Sequence, residues 1–174
     1  MENASHADIL KEGSHVWNTF VFDSNVQSAQ LRDADLSDLT LRRVNLVNAD
    51  LTGANLSTSD LSQACLADAK LQGVNFSAAI LNGADLSDAD ATGADFRGTR
   101  LNGINLTSTM LRGANLEGVD LRRATLSGAC FQNANLAGAR LYRSALKKAD
   151  FSGAQLTNAE ILEEAGAAFI PAAA

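Results

Sequence analysis

The chain has 174 residues, 20% of them charged, and a formal net charge of −6, proportions that argue against simple disorder. Aromatic residues make up only 5%, so the core must be built from many small layers rather than from large rings. No run of 18 apolar residues is present and the N-terminus lacks a basic segment followed by an apolar one, so neither a membrane span nor a secretory signal is expected; with two cysteines, a reducing, cytoplasmic location is the expectation.

Residues 1–28 differ in pattern from the rest of the chain and read as an N-terminal cap. Ser5-His6-Ala7-Asp8 opens a short helix carrying Ile9 and Leu10 and ending before Gly13. Trp17, Phe20 and Phe22 then place three of the nine aromatic residues within six positions. They are expected to seal the start of the next region and to lead into its ladder at Val21 and Val26.

From 29 to 158 the chain keeps a five-residue metre. Every fifth residue from Leu31 to Leu156 is Leu or Phe, except Ala91. Two positions earlier sits a small or compact residue, as in Ala54-Asn55-Leu56 and Ala114-Asn115-Leu116. Five is neither the helical period nor the alternation of a flat strand. Residues two apart on a short extended segment share a face, so the small residue and the Leu both point inward, and the chain must turn before the next pair does so. Repetition of this kind defines a solenoid. Frequent Gly just after the centre, together with Asn, Asp, Thr and Ser, supplies turn chemistry and opposes a helical alternative.

Residues 159–174 read as a C-terminal cap and tail. Thr157-Asn158-Ala159-Glu160 has capping-box spacing, which predicts a helix over 158–165 stopped by Gly166, its apolar residues covering the last layer with Phe169 and Ile170.

No nucleophile–base pair, phosphate loop or metal-ligand spacing stands out, so no catalytic, cofactor or metal residue is assigned and no enzyme activity is expected. His6 and His15 have no cysteine near them.

The repeated A-(D/N)-L-x-x unit, with 26 successive centres, resembles the pentapeptide repeat family. The resemblance implies an all-β solenoid, a right-handed quadrilateral β-helix in which four units close one twenty-residue coil, with short helical caps. The period alone leaves the number of sides open. Coils stacked about 4.8 Å apart would make the repeat a rod roughly 31 Å long. The opening Ile9-Leu10-Lys11 … Gly13 … Trp17-Asn18 is similar to cyanobacterial members, most of them of unassigned role.

With four sides, residues twenty apart form vertical rows. Asp35, Asn55, Asn75, Asp95, Asn115, Asn135 and Gln155 make one row, expected to bond to corner backbone and cross-link coils. Cys65 and Cys130 fall on different sides, too far apart for a disulfide. Leu39 and Ile104 are large for the small position and predict local bulging. Ala91 leaves a gap between Leu71 and Leu111 that Phe76 and Phe96, on the adjoining side, are expected to fill.

Charge is uneven along the rod: residues 29–95 sum to −6 and residues 96–158 to +6. One side gathers Arg42, Arg43, Arg100, Arg122, Arg123, Arg140 and Arg143, the candidate interaction surface. Some family members imitate duplex DNA and bind type II topoisomerases such as DNA gyrase, and that DNA-mimic role is the alternative the resemblance implies here. It needs a broad negative surface, which an arginine side interrupts. Direct nucleic-acid binding is not expected, because Lys147 and Lys148 lie on another side and stacking aromatics are absent there. The reading favoured is a rigid, non-catalytic scaffold or interaction module whose partner is another protein of unknown identity. The caps favour a monomer, and the apolar tail offers a route to a dimer through the C-terminal end.

Overall fold

A computed structural model describes residues 5–141 and 144–161. Along the repeat, each residue preceding a centre pairs in parallel with the residue twenty positions later, from Gln30 with Asp50 to Arg140 with Glu160. One coil therefore takes twenty residues and carries four ladders. The sides are numbered by their first centres: Leu31, Leu36, Leu41 and Leu46.

The local reason lies in the unit. The centre and the two residues before it are extended, and the second residue after the centre is left-handed, from Asp33 (φ 53°) to Asn158 (φ 59°). The centre carbonyl then accepts from the amide that opens the next unit, as Leu51 does from Ala54 at 2.8 Å. An Asp or Asn before the centre steadies the corner. The Oδ1 of Asn55 accepts from the Ser57 amide at 3.2 Å, and that of Asp85 from the Ser87 amide at 3.0 Å. The rows also link coils, Asn75 donating to Asn55 at 3.1 Å and Asn105 to Asp85 at 2.8 Å.

Centres and small residues fill one continuous core. Centre leucines from Leu31 to Leu141 are almost wholly shielded, each worth about 1.5–3 kcal/mol of transfer free energy, whereas Leu39, in a small position, is only partly buried. Aromatic centres stack where coil spacing puts them one above another: Phe76 on Phe96 with centroids 5.1 Å apart, and Phe131 on Phe151 at 4.9 Å. Ala91 is buried with them. The ladder passes Leu39 undisturbed, its carbonyl accepting from the Asp60 amide at 2.8 Å.

Two helices close the N-terminal end: α1 (His6–Lys11) and α2 (Ser14–Asp23). Ser5 caps α1 through a reciprocal exchange with Asp8. The aromatic lead-in expected to seal the first coil and join the ladder at Val21 and Val26 is helical, and two of its residues depart from that expectation. Phe22 is 85% exposed and seals nothing, and Val21 lies within the helix, its carbonyl accepting from the Val26 amide at 3.1 Å. Val16-Trp17-Asn18-Thr19-Phe20-Val21-Phe22 is rich in β-branched and aromatic residues, yet the helix wins because of what it sets against the first coil. Trp17 is fully buried there, Phe20 partly so. The Trp17 indole donates to the Asn45 carbonyl, and Asn18 takes the Asn45 amide at 2.8 Å while donating to the Arg43 carbonyl at 3.0 Å. His6 Nδ1 takes the Gln30 amide at 2.9 Å. The helices thus satisfy the lower edge of the first and fourth sides with side-chain atoms.

At the other end, the helix expected to begin at Asn158 does not begin there. Asn158 is a corner residue and Glu160 pairs with Arg140, so the metre runs on through Glu160. Thr157-Asn158-Ala159-Glu160 satisfies the repeat as well as a capping box, and the open ladder of the coil below decides between them. The rest of that expected helix, with Gly166, Phe169 and Ile170, lies outside the described residues.

Candidate interaction surface

The third side carries the arginines. Its row before the centre reads Thr40, Asp60, Ile80, Arg100, Asp120, Arg140 and Glu160, joined by successive pairings. Arg42 and Arg122 directly follow centres, and Arg43 and Arg123 occupy left-handed corners. Arg143 lies outside the described residues.

Neighbouring acids neutralise half of the six described arginines. Arg42 lies 3.6 Å from Asp60, Arg140 pairs with Glu160 at 3.1 Å, and Arg122 grips both oxygens of Asp120 at 2.5–2.9 Å. The hydrogen bonds from Arg122 hold the Asp120 carboxyl below the usual range against the opposing effect of burial, and they raise Arg122 in turn. Arg43, Arg100 and Arg123 have no acidic partner among the described residues. The sequence brings seven arginines to one side, whereas among the described residues the fold leaves without an acidic partner Arg100 and Arg123, on successive coils, and Arg43 far below them.

Arg100 and Arg123 border a defect in the ladder. On the third side between these coils, the register calls for bonds from the Gly98, Leu101 and Gly103 amides to the Glu117, Asp120 and Arg122 carbonyls, and from the Asp120 amide to the Thr99 carbonyl. None of these four closes to hydrogen-bond geometry, although Arg100 and Asp120 remain paired in register. At the centres of the other three sides the same coils stay bonded, Phe96 to Asn115, Leu106 to Thr125 and Leu111 to Cys130, each at 2.8 Å. The inward column explains the strain. Thr99 and Val119 are buried one above the other at a corner where the coil below has Ala79 and the coil above has Ala139, and Ile104, large for the small position, follows the open Gly103 amide, although its own carbonyl still accepts from the Thr125 amide at 3.0 Å. A cleft of about 260 Å³ opens there, lined by Asn82, Thr99, Arg100, Leu101, Asn102 and Asp120. Charge counting alone could not find this seam, because its cause is inside the rod.

The other elements show no comparable chemistry. Cys65 and Cys130 are free thiols. Among the described residues no cluster of His, Cys, Asp and Glu is placed to hold a metal, and no helix is long and apolar enough to cross a membrane.

A twenty-residue coil with a left-handed corner in every unit and a column of leucines is the architecture of a repeat solenoid. The profile of pentapeptide repeats matches residues 29–68, 69–107, 99–136 and 127–161, and the chain belongs to the pentapeptide repeat family. Among solved structures, it is similar to HetL, a pentapeptide repeat protein involved in heterocyst differentiation regulation from the cyanobacterium Nostoc sp. strain PCC 7120, with 29% identity over 80% of this chain and 76% of that one and a TM-score of 0.33. It is also similar to a pentapeptide repeat protein from the cyanobacterium Cyanothece 51142, with 26% identity over 82% and 97% of the two chains and a TM-score of 0.28. QnrB1, a plasmid-mediated fluoroquinolone resistance protein, shares 22% identity over 76% of this chain and 78% of that one, with a TM-score of 0.47. No curated protein matches the chain.

Proposed function

We propose that this protein is a rigid, non-catalytic interaction module, a right-handed quadrilateral β-helix that works in the cytoplasm and offers its third side to another protein. Family membership supports the handedness. The observation that carries the functional reading is the imbalance on that side: Arg42, Arg122 and Arg140 are spoken for by Asp60, Asp120 and Glu160, whereas Arg100, which lines the cleft, and Arg123, one coil above, have no acidic partner among the described residues. Uncompensated guanidinium groups on a stiff frame select an acidic surface, and they do so with little ordering cost. Imitation of duplex DNA is the weaker reading, since these cations interrupt the negative surface it requires.

The test is affinity capture at low salt with three immobilised proteins: the parent, a variant with Arg100→Ser and Arg123→Ser, and a variant with Arg42→Ser and Arg140→Ser. A partner held by the parent and the second variant but lost from the first is the expected result. Equal retention by all three removes the third side from the interface. A supercoiling assay in which the parent protein inhibits DNA gyrase would favour mimicry instead.

A further inference from the structure

We propose that the fourth side pairs two copies of this chain, antiparallel and side by side. This side is identified by the ladder of Asn45, Cys65, Asp85, Asn105, Thr125 and Ala145. Its charges are segregated by height. Asp68, Asp85 and Asp88 lie in the lower coils, and Lys147 and Lys148 in the uppermost described coil. Asp68, Asp88, Lys147 and Lys148 are exposed, with Asp68, Asp88 and Lys148 in one corner row. Every ion pair among the described residues belongs to another side: Asp50 with Arg32 and Lys70, Asp60 with Arg42, Asp95 with Arg97, Asp120 with Arg122, and Glu160 with Arg140. Among the described residues, the fourth side alone has both signs and pairs neither.

The separation explains why. Asp68 and Lys148 are four coils apart, about 19 Å, beyond the reach of either side chain. A second rod turned end for end removes the difficulty. A two-fold axis lying in the interface and crossing the rods leaves each corner row opposite itself while reversing its direction. Lys147 and Lys148 of one copy then meet Asp68 and Asp88 of the other, and the same contact recurs at the far end. A parallel pair would instead keep the aspartates of both copies at one height and the lysines at another, leaving both unpaired. Between the charged ends the residues are small, Ser87, Thr107, Ser127 and Gly128, so the flat sides can approach closely. Because the arrangement is isologous, it closes at two copies. The N-terminal helices do not oppose it, since their bonds go to the ladder edge of the first coil.

Light scattering coupled to gel filtration, on the full chain, tests the proposal. The expected result is a mass of two chains at about 50 mM salt, with dissociation strengthened about tenfold or more at about 500 mM. A variant carrying Asp68→Lys and Asp88→Lys should be monomeric, as should one carrying Lys147→Asp and Lys148→Asp. Mixing the two should restore the two-chain mass, and so should all four exchanges in one chain. A parent that is monomeric throughout overturns the proposal, as does a dimer indifferent to salt and exchange, or an open series of larger masses. The salt series on the unaltered protein decides the matter even if a variant does not fold.

Discussion

The indole N–H of Trp17 donates to the carbonyl of Asn45 at 2.7 Å, joining a helix to the bottom of the ladder across 28 residues of sequence. Asn18, the next residue, completes the substitution by accepting from the amide of the same Asn45 at 2.8 Å. Two side chains of α2 thereby act as the missing strand beneath the fourth side.

Asn18→Ala should therefore destabilise the protein by about 1–3 kcal/mol, because it orphans the Asn45 amide and the Arg43 carbonyl together. Urea unfolding followed by circular dichroism would measure it. A midpoint equal to that of the parent would show that α2 merely rests on the rod.

Corner chemistry gives a change in the opposite direction. Ala78 holds φ at 57° in a position where Gly98, one coil above, holds 68°. A left-handed alanine costs roughly 1–2 kcal/mol, and a glycine loses part of that advantage through its greater freedom when unfolded. Ala78→Gly should raise the melting temperature by a few degrees. The reverse exchange separates two kinds of corner: Gly73→Ala meets open space, whereas the new methyl group in Gly53→Ala runs into the Asp33 carboxylate. Gly53→Ala should be the more damaging of the pair, and equal melting temperatures would refute this ranking.

Acid should weaken the fold through the aspartates before the centres. Burial tends to raise the carboxyls of Asp50, Asp60 and Asp90, but the Thr52, Ser62 and Thr92 hydrogen bonds outweigh it, and each ends below its ordinary value. Asp95, gripped by Arg97, is lowered as well. A carboxyl with a depressed folded value contributes its stability above the unfolded value of about 3.9 and surrenders it as pH falls through the folded one. Melting temperatures should hold near neutrality and drop progressively below about pH 4. Stability that rises on acidification would contradict the assignment.

The seam on the third side should be visible in hydrogen exchange. Leu101 and Asp120 amides, which lack their ladder acceptors, should exchange faster than those of Leu81 and Arg100 one coil below, which bond to Arg100 and Ala79 at 2.8 and 3.0 Å. Thr99→Ala combined with Val119→Ala should slow the first pair by relieving the inward column. Uniform protection along the rod would dispose of the seam.

Much of this molecule is legible in its residues alone. The position of every centre, the small inward residue and the turn after it follow from the metre of Leu, Ala and Asn, since local geometry admits few ways to bury a pair at that spacing. The arginine side is legible as composition, although its reduction to Arg100 and Arg123 is not. Some of the pairings are local, as in Arg122 with Asp120, but Arg42 with Asp60 and Arg140 with Glu160 form only between one coil and the next. Helix α2 escapes sequence reading for a related reason: Val16 to Phe22 carries strand-like residues, and only the edge above it, with an amide and carbonyl to satisfy at Asn45, makes the helix preferable. The same edge logic carries the ladder through Glu160, against a local capping signal. Sequence by itself determined the repeat, because each unit answers to its own five residues. Tertiary structure decided the ends, the seam and the free charges, because each of these depends on what the neighbouring coil leaves unsatisfied.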